Sequence, residues 1–486
     1  MKKFPIADLA AIIKAHPAAT EPAIRKAQGA RRKTQDSRLI GPGSVVCSVG
    51  SSFTGVSTDS RTVKAGDCFF AIPGENFDGH DYVADAFAKG AACAVVGREL
   101  GDEEFAGKCL LKVDDTVKAL GDFAREYRRQ AGFKVVAITG SAGKTTTKQI
   151  AYQALSRRFT VYQSPRSFNN KIGLPLTLLG ADPHDQIVIA ELGSNHPGEI
   201  SYLTRIALPD IAVVTNVYLA HLEGFGDLQT IIQEKLSISE GLSRDGTLII
   251  NADFDQLVEA CRVKRPKFVT FGKSDGCDYR VQNITSDGLT SRFTIDGAEV
   301  YLPLAGPGNV ENTLAAWAVC SQFGLKIDDF VQTVKTASPA PMRAELLKIG
   351  TLTVLNDCYN ANPASVNNAL RILCDVDSDR KRRLVFICGD MAELGAQAEH
   401  LHAGLGTSIA KANVQLLLTI GKFAKIAAEA AKTSAEYNLQ IKCFEDTFSV
   451  CNNLHEFIKD YDIILVKGSR VAKLEMAVEK LKALFS

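Results

Sequence analysis

The chain has 486 residues, of which 46% are hydrophobic and 23% are charged, a composition typical of a globular protein with about three domains. Its 56 lysine and arginine residues nearly balance its 55 aspartate and glutamate residues, which leaves a net charge of +1. This balance excludes a global field that would attract nucleic acid, so anionic ligands must be met by local cations or backbone amides. No apolar run of about 18 residues occurs, so we expect small-molecule partners, no nucleic acid and no membrane span.

The N-terminal residues predict an amphipathic helix. Asp8 and Lys14 interrupt the apolar stretch that a secretory signal would keep intact. The basic segment 21–44 has no hydrophobic periodicity, which favours a solvated loop or an insertion. The 12 cysteines are dispersed without a C-x-x-C pair, so we predict buried free thiols in a reducing compartment and neither a disulfide framework nor a zinc site.

The next elements predict three α/β domains. Residues 55–96 alternate strand, turn, strand, helix (about Tyr82 to Lys89) and strand, and a helix follows at 115–130. From FKVVAITG onward, apolar strands alternate with helical stretches, which predicts a central parallel sheet with helices on both faces. The same pattern returns between residues 350 and 470, which predicts a Rossmann-like third domain. The predicted domains are residues 1–131, 132–337 and 338–486, with Pro339 and Pro341 marking the second linker.

The stretch VVAITGSAGKTTTKQI, residues 135–150, predicts a phosphate-binding loop. A strand ends at Thr139, glycines shape a turn, and a helix begins near Lys144, so backbone N–H groups and the positive end of the helix dipole would face an anion. Lys144 supplies a charge to the outer phosphates, and the Thr145 hydroxyl suits Mg²⁺. The alternative is a glycine turn with a surface lysine. The residues expected to contact ATP here are Gly140, Ser141, Ala142, Gly143, Lys144, Thr145 and Thr146.

The loop is two residues shorter than the usual P-loop, because position 138 is an isoleucine. In this form, and in a series of motifs from about Gly55 to the C-terminus, the chain resembles the Mur ligase family of peptidoglycan synthesis, in particular the UDP-N-acetylmuramoyl-tripeptide–D-alanyl-D-alanine ligases. The motifs that carry the resemblance are STDSR, GENFDGHDY, ITGSAGKTTTK, FNNKIGLPLTLL, ELGSNHPGEI, VTNVYLAHLEGFG, GNVENTLAA, NDCYNANPAS, CGDMAELG and VKGSR.

Three residues form the expected metal site with Thr145. Glu191 closes the strand IVIAEL at the sheet edge where open α/β sheets bind ligands, and its carboxylate suits Mg²⁺; the alternative is a strand-end acid in solvent. The resemblance implies that His221 lies near a second Mg²⁺ and that Lys235 carries a CO₂-derived carbamate. A carbamate suits a site that holds Mg²⁺ because an ammonium would repel the metal. The alternative for Lys235 is a surface position on an amphipathic helix.

The resemblance also implies nucleotide contacts in the second half of the chain. Asn309 and Asn312 lie three positions apart on one face at a helix start. Asn309 is expected on the adenine side of ATP, whereas Asn312 could equally cap or pack. Arg343, in the expected hinge SPAPMRAELL, is a phosphate-facing cation, and Asp357 is a ribose or nucleotide clamp. Closure of the third domain on the second would exclude water and align the reactants.

The remaining expectations concern the other two substrates. Residues expected to bind the UDP substrate are Ser57, Thr58, Ser60, Arg61, Asn169 and Asn170, although a plain turn at STDSR is the alternative. Residues expected near the dipeptide are Asn360, Asn362, Lys467, Ser469 and Arg470. His400 and His402 face different directions on a helix, so we interpret them as surface residues and not as a metal pair.

The implied reaction is an ATP-dependent ligation in the cytoplasm by a monomer. The tripeptide carboxylate of UDP-MurNAc-tripeptide attacks the γ-phosphate of ATP, and the amine of D-alanyl-D-alanine then attacks the acyl phosphate. One alternative is the Mur ligase that adds the third amino acid, but its D-N-P-R-like motif is absent. Folylpolyglutamate synthetase shares the short loop but lacks the UDP-binding domain, and a nucleotide-dependent switch would hydrolyse ATP without an acceptor. The sequence leaves open whether the third residue of the peptide is diaminopimelate or lysine.

Overall fold

The computed structural model describes residues 1, 3–17, 51–100, 105, 107–265, 267–377 and 381–486. The segment 21–44, expected to be a loop or an insertion, lies outside the described residues. The chain divides into two units, one of Met1–Val135, Phe159–Leu192 and Tyr202–Asp210 and the other of Val136–Arg158, Gly193–Ser201 and Ile211–Ser486. The domain limits expected at residues 131 and 337 stay predictions.

The elements follow in chain order. The strands are β1 (Phe4–Pro5), β2 (His16–Pro17), β3 (Ser52–Phe53), β4 (Gly55–Ser57), β5 (Asp67–Phe70), β6 (Cys93–Val96), β7 (Leu110–Lys112), β8 (Lys134–Thr139), β9 (Val161–Gln163), β10 (Ile187–Glu191), β11 (Ile211–Val214), β12 (Thr247–Asn251), β13 (Val269–Gly272), β14 (Tyr279–Ser286), β15 (Ser291–Ile295), β16 (Ala298–Leu302), β17 (Glu345–Ile349), β18 (Leu352–Asn356), β19 (Leu384–Gly389), β20 (Leu416–Ile420), β21 (Gln440–Phe444) and β22 (Ile463–Lys467). The α-helices are α1 (Ile6–Ile12), α2 (Val83–Ala88), α3 (Thr116–Gln130), α4 (Lys144–Leu155), α5 (Gly173–Gly180), α6 (Glu199–Ala207), α7 (Leu222–Phe225), α8 (Leu228–Leu236), α9 (Asp255–Lys264), α10 (Pro307–Gln322), α11 (Ile327–Val334), α12 (Pro363–Val376), α13 (Ala398–Lys411), α14 (Lys422–Ser434), α15 (Thr447–Phe457) and α16 (Glu475–Phe485).

The first unit contains a five-stranded sheet in the order β2-β7-β6-β5-β4. Strands β4 to β7 are parallel, and β2 is antiparallel to β7. The first helix is amphipathic as predicted, because Ile6 and Leu9 are buried on one face. Helix α3 begins after Asp115, whose side chain accepts a hydrogen bond from the backbone N–H of Lys118. Strands β9 and β10 of this unit pair in parallel.

The second unit begins with parallel strands whose residues are almost entirely buried. Strand β11 pairs in parallel with β8 and with β12, and β12 pairs in parallel with β13. Their runs of valine and isoleucine are buried on both faces, as expected for strands covered by helices on both sides. Because these strands are parallel, the residues that follow Thr139 and Val214 emerge at one edge of the sheet.

The sheet continues into an antiparallel extension that the sequence analysis did not predict. Strand β14 is parallel to β13, but β15 pairs with β14, and β16 with β15, in antiparallel fashion. Burial alternates along β15, as expected for a sheet with one solvated face. The turn between β15 and β16 is Asp296-Gly297, and both residues have positive φ, the geometry of a tight hairpin. The D-G pair between alternating residues was the available signal.

The last part of the second unit is a six-stranded sheet in the order β17-β18-β22-β19-β20-β21. All pairs are parallel except the edge pair β17–β18, which is antiparallel. One apolar cluster includes residues of α12 to α14, and a second includes residues of α15 and α16. The first cluster also includes Leu222, Phe225 and Ile231, so it joins α7 and α8 to this sheet.

Most sequence predictions about the elements are confirmed, whereas those about the cysteines and about His402 are wrong at particular positions. The α/β class, the helices near 82–89 and 115–130, and the strands of the central and last sheets are all present. Ten described cysteines carry free thiols, but Cys443 is exposed and Cys109 is disulfide-bonded, so the expectation of buried free thiols is wrong at these two positions. In the described part of the chain, no helix combines the length and apolar character that a bilayer crossing requires. The interpretation of His402 as a surface residue is wrong, because its side chain is buried in the last sheet's helical layer.

Candidate nucleotide-binding and ligase site

The loop between β8 and α4 has the geometry of a phosphate-binding turn. Gly140 has φ +146° and Gly143 has φ +81°, and both lie against other side chains. A Cβ at Gly140 would lie 2.0 Å from Oγ1 of Thr215, and one at Gly143 would lie 2.0 Å from Oδ1 of Asn312. Backbone conformation and lack of space therefore both require glycine at these positions.

The loop is latched to the residues that follow β11. The backbone N–H of Ala142 donates to Oδ1 of Asn216 at 2.8 Å, and that of Ser141 donates to the Asn216 carbonyl at 3.1 Å. The hydroxyl of Thr215 donates to the Ala142 carbonyl at 2.7 Å. Thr215 and Asn216 lie within the motif VTNVYLAHLEGFG, and no role was predicted for them. The available signal was a pair of polar residues directly after a buried strand.

The helix that follows the loop supplies the expected charge. Helix α4 begins at Lys144 as predicted, and the Nζ of Lys144 donates to the Gly140 carbonyl at 2.6 Å, so the ammonium lies over the loop. Thr145 and Thr146 lie in the first turn of α4, whose backbone N–H groups point towards the N-terminal end of the helix. Those N–H groups, the helix dipole and the ammonium make this end of α4 suited to a polyphosphate.

Lys235 is buried and not on the surface. It lies in α8 with 2% of its surface exposed, and its Nζ donates to Oγ of Ser194 at 2.8 Å. Burial, followed by the positive charge of Lys144, lowers the pKa of Lys235 from 10.5 to about 7. Much of the amine is therefore neutral near neutral pH. The alternative of a surface lysine on an amphipathic helix is wrong.

His221 lies at the start of α7 with φ 53°, next to the last sheet. Its Nδ1 contacts Oε2 of Glu393 from the CGDMAELG segment, and this hydrogen bond lowers the pKa of Glu393. The ring of Phe225 lies 6.5 Å from the His221 ring and 5.4 Å from Nζ of Lys235, measured to its centroid. The structure therefore brings two of the predicted site residues to one phenyl ring.

Glu191 ends strand β10 in the first unit. It is 1% exposed, and its backbone N–H donates to Oγ of Ser164 at 3.3 Å, so the alternative of an acid in solvent is wrong. Among the described residues, no three His, Cys, Asp or Glu side chains form a metal-binding group. The expected Mg²⁺ site does not require such a group of three side chains. Mg²⁺ is commonly held by one or two carboxylates together with phosphate oxygens of the substrate. The metal roles of Thr145, Glu191 and His221 stay predictions.

Asn309 and Asn312 lie together in the first turns of α10, as predicted. The side chain of Asn309 donates to the Ala305 carbonyl at 2.8 Å and accepts from Asn312 at 3.3 Å. The close approach of Asn312 to Gly143 gives it a packing role beside the phosphate loop. The adenine contact of Asn309 stays a prediction.

Arg343 and Asp357 lie in a network around the loop after β18. The guanidinium of Arg343 lies 4.0 Å from the centroid of the Tyr359 ring. Asp357 accepts from the backbone N–H of Ala344 at 3.0 Å and from Nζ of Lys467 at 2.5 Å. Lys467 also donates to the carbonyl of Asn360 at 3.0 Å and is 2% exposed, so it anchors this loop. The predicted nucleotide contacts of Arg343 and Asp357 stay predictions.

The other residues expected at the dipeptide have visible structural roles. Asn362 caps α12 by accepting from the backbone N–H of Ser365 at 2.8 Å. Ser469 is 3% exposed, and its N–H donates to the Asp390 carbonyl at 2.9 Å. Arg470 pairs with Glu475 at 3.0 Å. Contacts of Asn360, Asn362, Lys467, Ser469 and Arg470 with a dipeptide stay predictions.

In the first unit, STDSR forms a turn held by its own side chains. Oγ of Ser57 accepts from the backbone N–H of Asp59 at 3.2 Å. The guanidinium of Arg61 donates to Asp59 and lowers the pKa of that carboxyl to about 2. The carbonyl of Ser60 accepts from Nζ of Lys89 at 2.8 Å. A UDP contact by Ser57, Thr58, Ser60 or Arg61 stays a prediction, and the turn exists without one.

Asn169 and Asn170 lie in the segment before helix α5, in the first unit. Oδ1 of Asn170 accepts from the backbone N–H groups of Ile172 at 3.1 Å and Gly173 at 2.9 Å, so Asn170 orders the approach to that helix. Asn169 is half-buried. Their contacts with the UDP substrate stay predictions.

The glycine loop latched between two buried parallel strands, with a lysine at the start of the next helix, defines a nucleotide-binding α/β protein. Three family models match the chain: "Mur ligase family, catalytic domain" at residues 52–128, "Mur ligase middle domain" at 138–320 and "Mur ligase, glutamate ligase domain" at 342–470. Together with the relatives below, these matches show that the chain belongs to the Mur ligase family of ATP-dependent ligases.

Relatives of known name agree with this assignment. The chain is 34% identical over 432 residues to the UDP-N-acetylmuramoyl-tripeptide–D-alanyl-D-alanine ligase of Bacillus subtilis, covering 88% of this chain and 93% of that one. A crystal structure of MurF from Acinetobacter baumannii matches with a TM-score of 0.84 and 28% identity over 99% of both chains. MurF from Thermotoga maritima in complex with ADP matches with a TM-score of 0.76 and 25% identity over 88% of this chain and 97% of that one. The predicted resemblance and fold class are confirmed.

Proposed function

We propose that the chain joins D-alanyl-D-alanine to UDP-N-acetylmuramoyl-tripeptide at the expense of ATP, in the cytoplasm and as a monomer. The observation that carries the proposal is the phosphate loop, with Lys144 over it, in a chain whose named relatives are ligases of this kind. The relatives do not favour the alternative of adding the third amino acid. Strict dependence on an acceptor would also distinguish the ligase from a nucleotide switch.

The reaction begins with two anions that repel each other. The tripeptide carboxylate attacks the γ-phosphorus of ATP, the bond to the β–γ bridging oxygen breaks, and ADP leaves. The amine of the dipeptide then attacks the acyl phosphate, the amide forms, and inorganic phosphate leaves with loss of a proton from the amine. Lys144 and Arg343 supply positive charge against the repulsion, and α4 directs its N-terminal N–H groups at the phosphates.

Side chains of this chain have the donor chemistry to hold Mg²⁺ and to form a carbamate. Thr145, Glu191 and His221 would hold Mg²⁺, with two ions in all, and the metal would neutralise phosphate charge when bound. Lys235 would carry a carbamate formed from CO₂. The donor chemistry fits, because CO₂ reacts with a neutral amine and the pKa of Lys235 is about 7. A carbamate would replace a cation beside the metal with an oxygen anion.

The test measures ADP release with UDP-MurNAc-tripeptide in the presence and absence of D-alanyl-D-alanine, with lysine-containing and diaminopimelate-containing peptides assayed in parallel. We expect ADP release to require both substrates and the amide product to form in equal amount. Lys144→Ala should lower the rate by at least about 100-fold, whereas Lys432→Ala, at an exposed lysine of α14, serves as the matched control. ADP release without the dipeptide, or at the wild-type rate in Lys144→Ala, would contradict the proposal.

A further inference from the structure

The segment after β19, residues 390–397, packs against the turn that carries His221. The backbone N–H of Glu223 donates to the Glu393 carbonyl at 3.0 Å, and the Gln397 side chain donates to the Gly226 carbonyl at 3.4 Å. Leu222 and Phe225 belong to the same buried cluster as Met391 and Leu394. The two segments are thus joined by hydrogen bonds and by a shared core.

The 390–397 segment is held in turn by the last sheet's helices. Nε2 of the buried His402 accepts from the backbone N–H of Met391 at 3.0 Å, and its Nδ1 donates to the Ala398 carbonyl at 2.7 Å. Oδ1 of Asp390 accepts from the backbone N–H of Ala424 at 2.6 Å. Because both sides of the segment are anchored, the position of Glu393 follows from the folded last sheet and not from a free surface loop.

The contact between Glu393 and His221 selects one imidazole nitrogen. Oε2 of Glu393 meets Nδ1 of His221, and Phe225 packs edge-on to the same ring. A carboxylate at Nδ1 favours the tautomer with its proton on Nδ1, and Nε2 then keeps a lone pair. In metal sites, a histidine ligand usually has its second nitrogen bonded to such a carboxylate, which fixes the ring and raises its basicity.

We propose that Glu393 is a positioning residue that fixes the orientation and tautomer of His221, so that Nε2 is available to Mg²⁺. The inference rests on the proposed function in one respect, namely that the metal is the Mg²⁺ bound together with ATP. Its consequence is that the last sheet contributes to the metal site through a residue that need not touch substrate. Metal affinity then depends on the docking of the 390–397 segment.

The first experiment reads the tautomer without metal or substrate. In ¹⁵N NMR spectra of the histidine rings at pH 8, we expect His221 to carry its proton on Nδ1, with the signal assigned by its loss in His221→Gln. Glu393→Gln keeps an acceptor oxygen and should keep this tautomer. Glu393→Leu should shift the ring to a mixture dominated by the proton on Nε2. Glu399→Leu, an exposed acid on α13, is the matched control and should change nothing.

The second experiment measures binding of Mn²⁺, as a probe for Mg²⁺, by electron paramagnetic resonance with a nonhydrolysable ATP analogue. We expect Glu393→Leu to weaken Mn²⁺ binding about 10- to 100-fold, while Glu399→Leu leaves it unchanged. An unchanged tautomer or unchanged Mn²⁺ affinity in Glu393→Leu would overturn the proposal. If the tautomer and metal affinity shift but the wild type makes no amide product, the proposed reaction fails and the positioning role stands.

Discussion

Lys235 shows how burial changes what a residue can do. In water its ammonium would be almost fully protonated at neutral pH. Here it is buried and near another cation, and its pKa falls to about 7. Spacing from His221 and family resemblance singled it out, but the sequence could not tell a surface lysine from a buried one. The interpretation of His402 was wrong for the same reason. The sequence shows that this histidine lies on a helix but does not show whether it is on the buried or the exposed face.

The pKa of Lys235 predicts a pH dependence of stability. Between pH 7 and 10.5, the values in the folded and unfolded chains, the unfolded state binds more protons at this residue. The free energy of unfolding should therefore rise with pH in that window, by roughly 1.4 kcal/mol per pH unit from this group. Lys235→Met should abolish that part of the slope. Urea unfolding in CO₂-free buffer at several pH values measures it.

Lys171→Met is the control for this slope, since its exposed side chain should leave the pH dependence as in the wild type. Equal slopes in Lys235→Met and the wild type would contradict the low pKa. In separate samples without urea, equilibrated with ¹³C-labelled CO₂, ¹³C NMR should show a carbamate signal that is lost in Lys235→Met.

At the scale of elements, the phosphate loop is shaped by residues that directly follow β11, a strand that pairs with β8 but lies far from the loop in sequence. Strand β11 delivers Thr215 and Asn216 to the loop, and α10 delivers Asn312 to Gly143. The glycine spacing predicts a tight turn, but the side chains that stabilise this turn lie more than 70 positions away in sequence. One example is the hydrogen bond from the Ala142 N–H to Asn216. A nucleotide thus meets a loop already ordered before it binds.

Asn216→Ala should loosen the loop without touching its own residues. The N–H of Ala142 would lose its side-chain acceptor, which costs about 1–3 kcal/mol when the group stays buried. We expect lower stability in urea and about tenfold weaker binding of a nonhydrolysable ATP analogue by calorimetry. Asn452→Ala, an exposed asparagine on α15, is the control. Wild-type nucleotide affinity in Asn216→Ala would show that the hydrogen bond between Ala142 and the Asn216 side chain does not matter for binding.

At the scale of the whole molecule, the parts matched by the middle and glutamate ligase models share a core. Leu222, Phe225 and Ile231 belong to the same buried cluster as Met391 and Leu394. Because interiors are close-packed, a change on one side of this cluster is transmitted to the other. The contact of Glu393 with His221 lies at its edge, so packing and site geometry are coupled there.

Phe225→Ala should report this coupling. Loss of a buried phenyl ring typically costs about 3–5 kcal/mol. We expect faster hydrogen exchange both in residues 221–236 and in residues 390–397, measured by mass spectrometry. Phe448→Ala is the control, because that side chain is 65% exposed. If only residues 221–236 exchange faster, the two segments do not form one cooperative unit.

Much of this fold was predictable because its signals are local. Buried parallel strands are continuous apolar runs, and the glycine loop, the lysine and the helix start are contiguous. The hairpin at Asp296-Gly297 was equally local, but it was missed among longer strand–helix alternations. The antiparallel pairing of the edge strand β17 with β18 was not predictable, because the relative direction of two strands depends on which strand a segment pairs with in the folded sheet.

By itself, the sequence determined the α/β class, the phosphate loop and the resemblance to the Mur ligases, since each rests on residues close together along the chain. Only the tertiary structure decided that Lys235 is buried, that Asn216 closes the loop and that Glu393 meets His221. Burial and pairing between distant residues set the pKa of an amine and the proton position on an imidazole, and both depend on distances that no local pattern specifies.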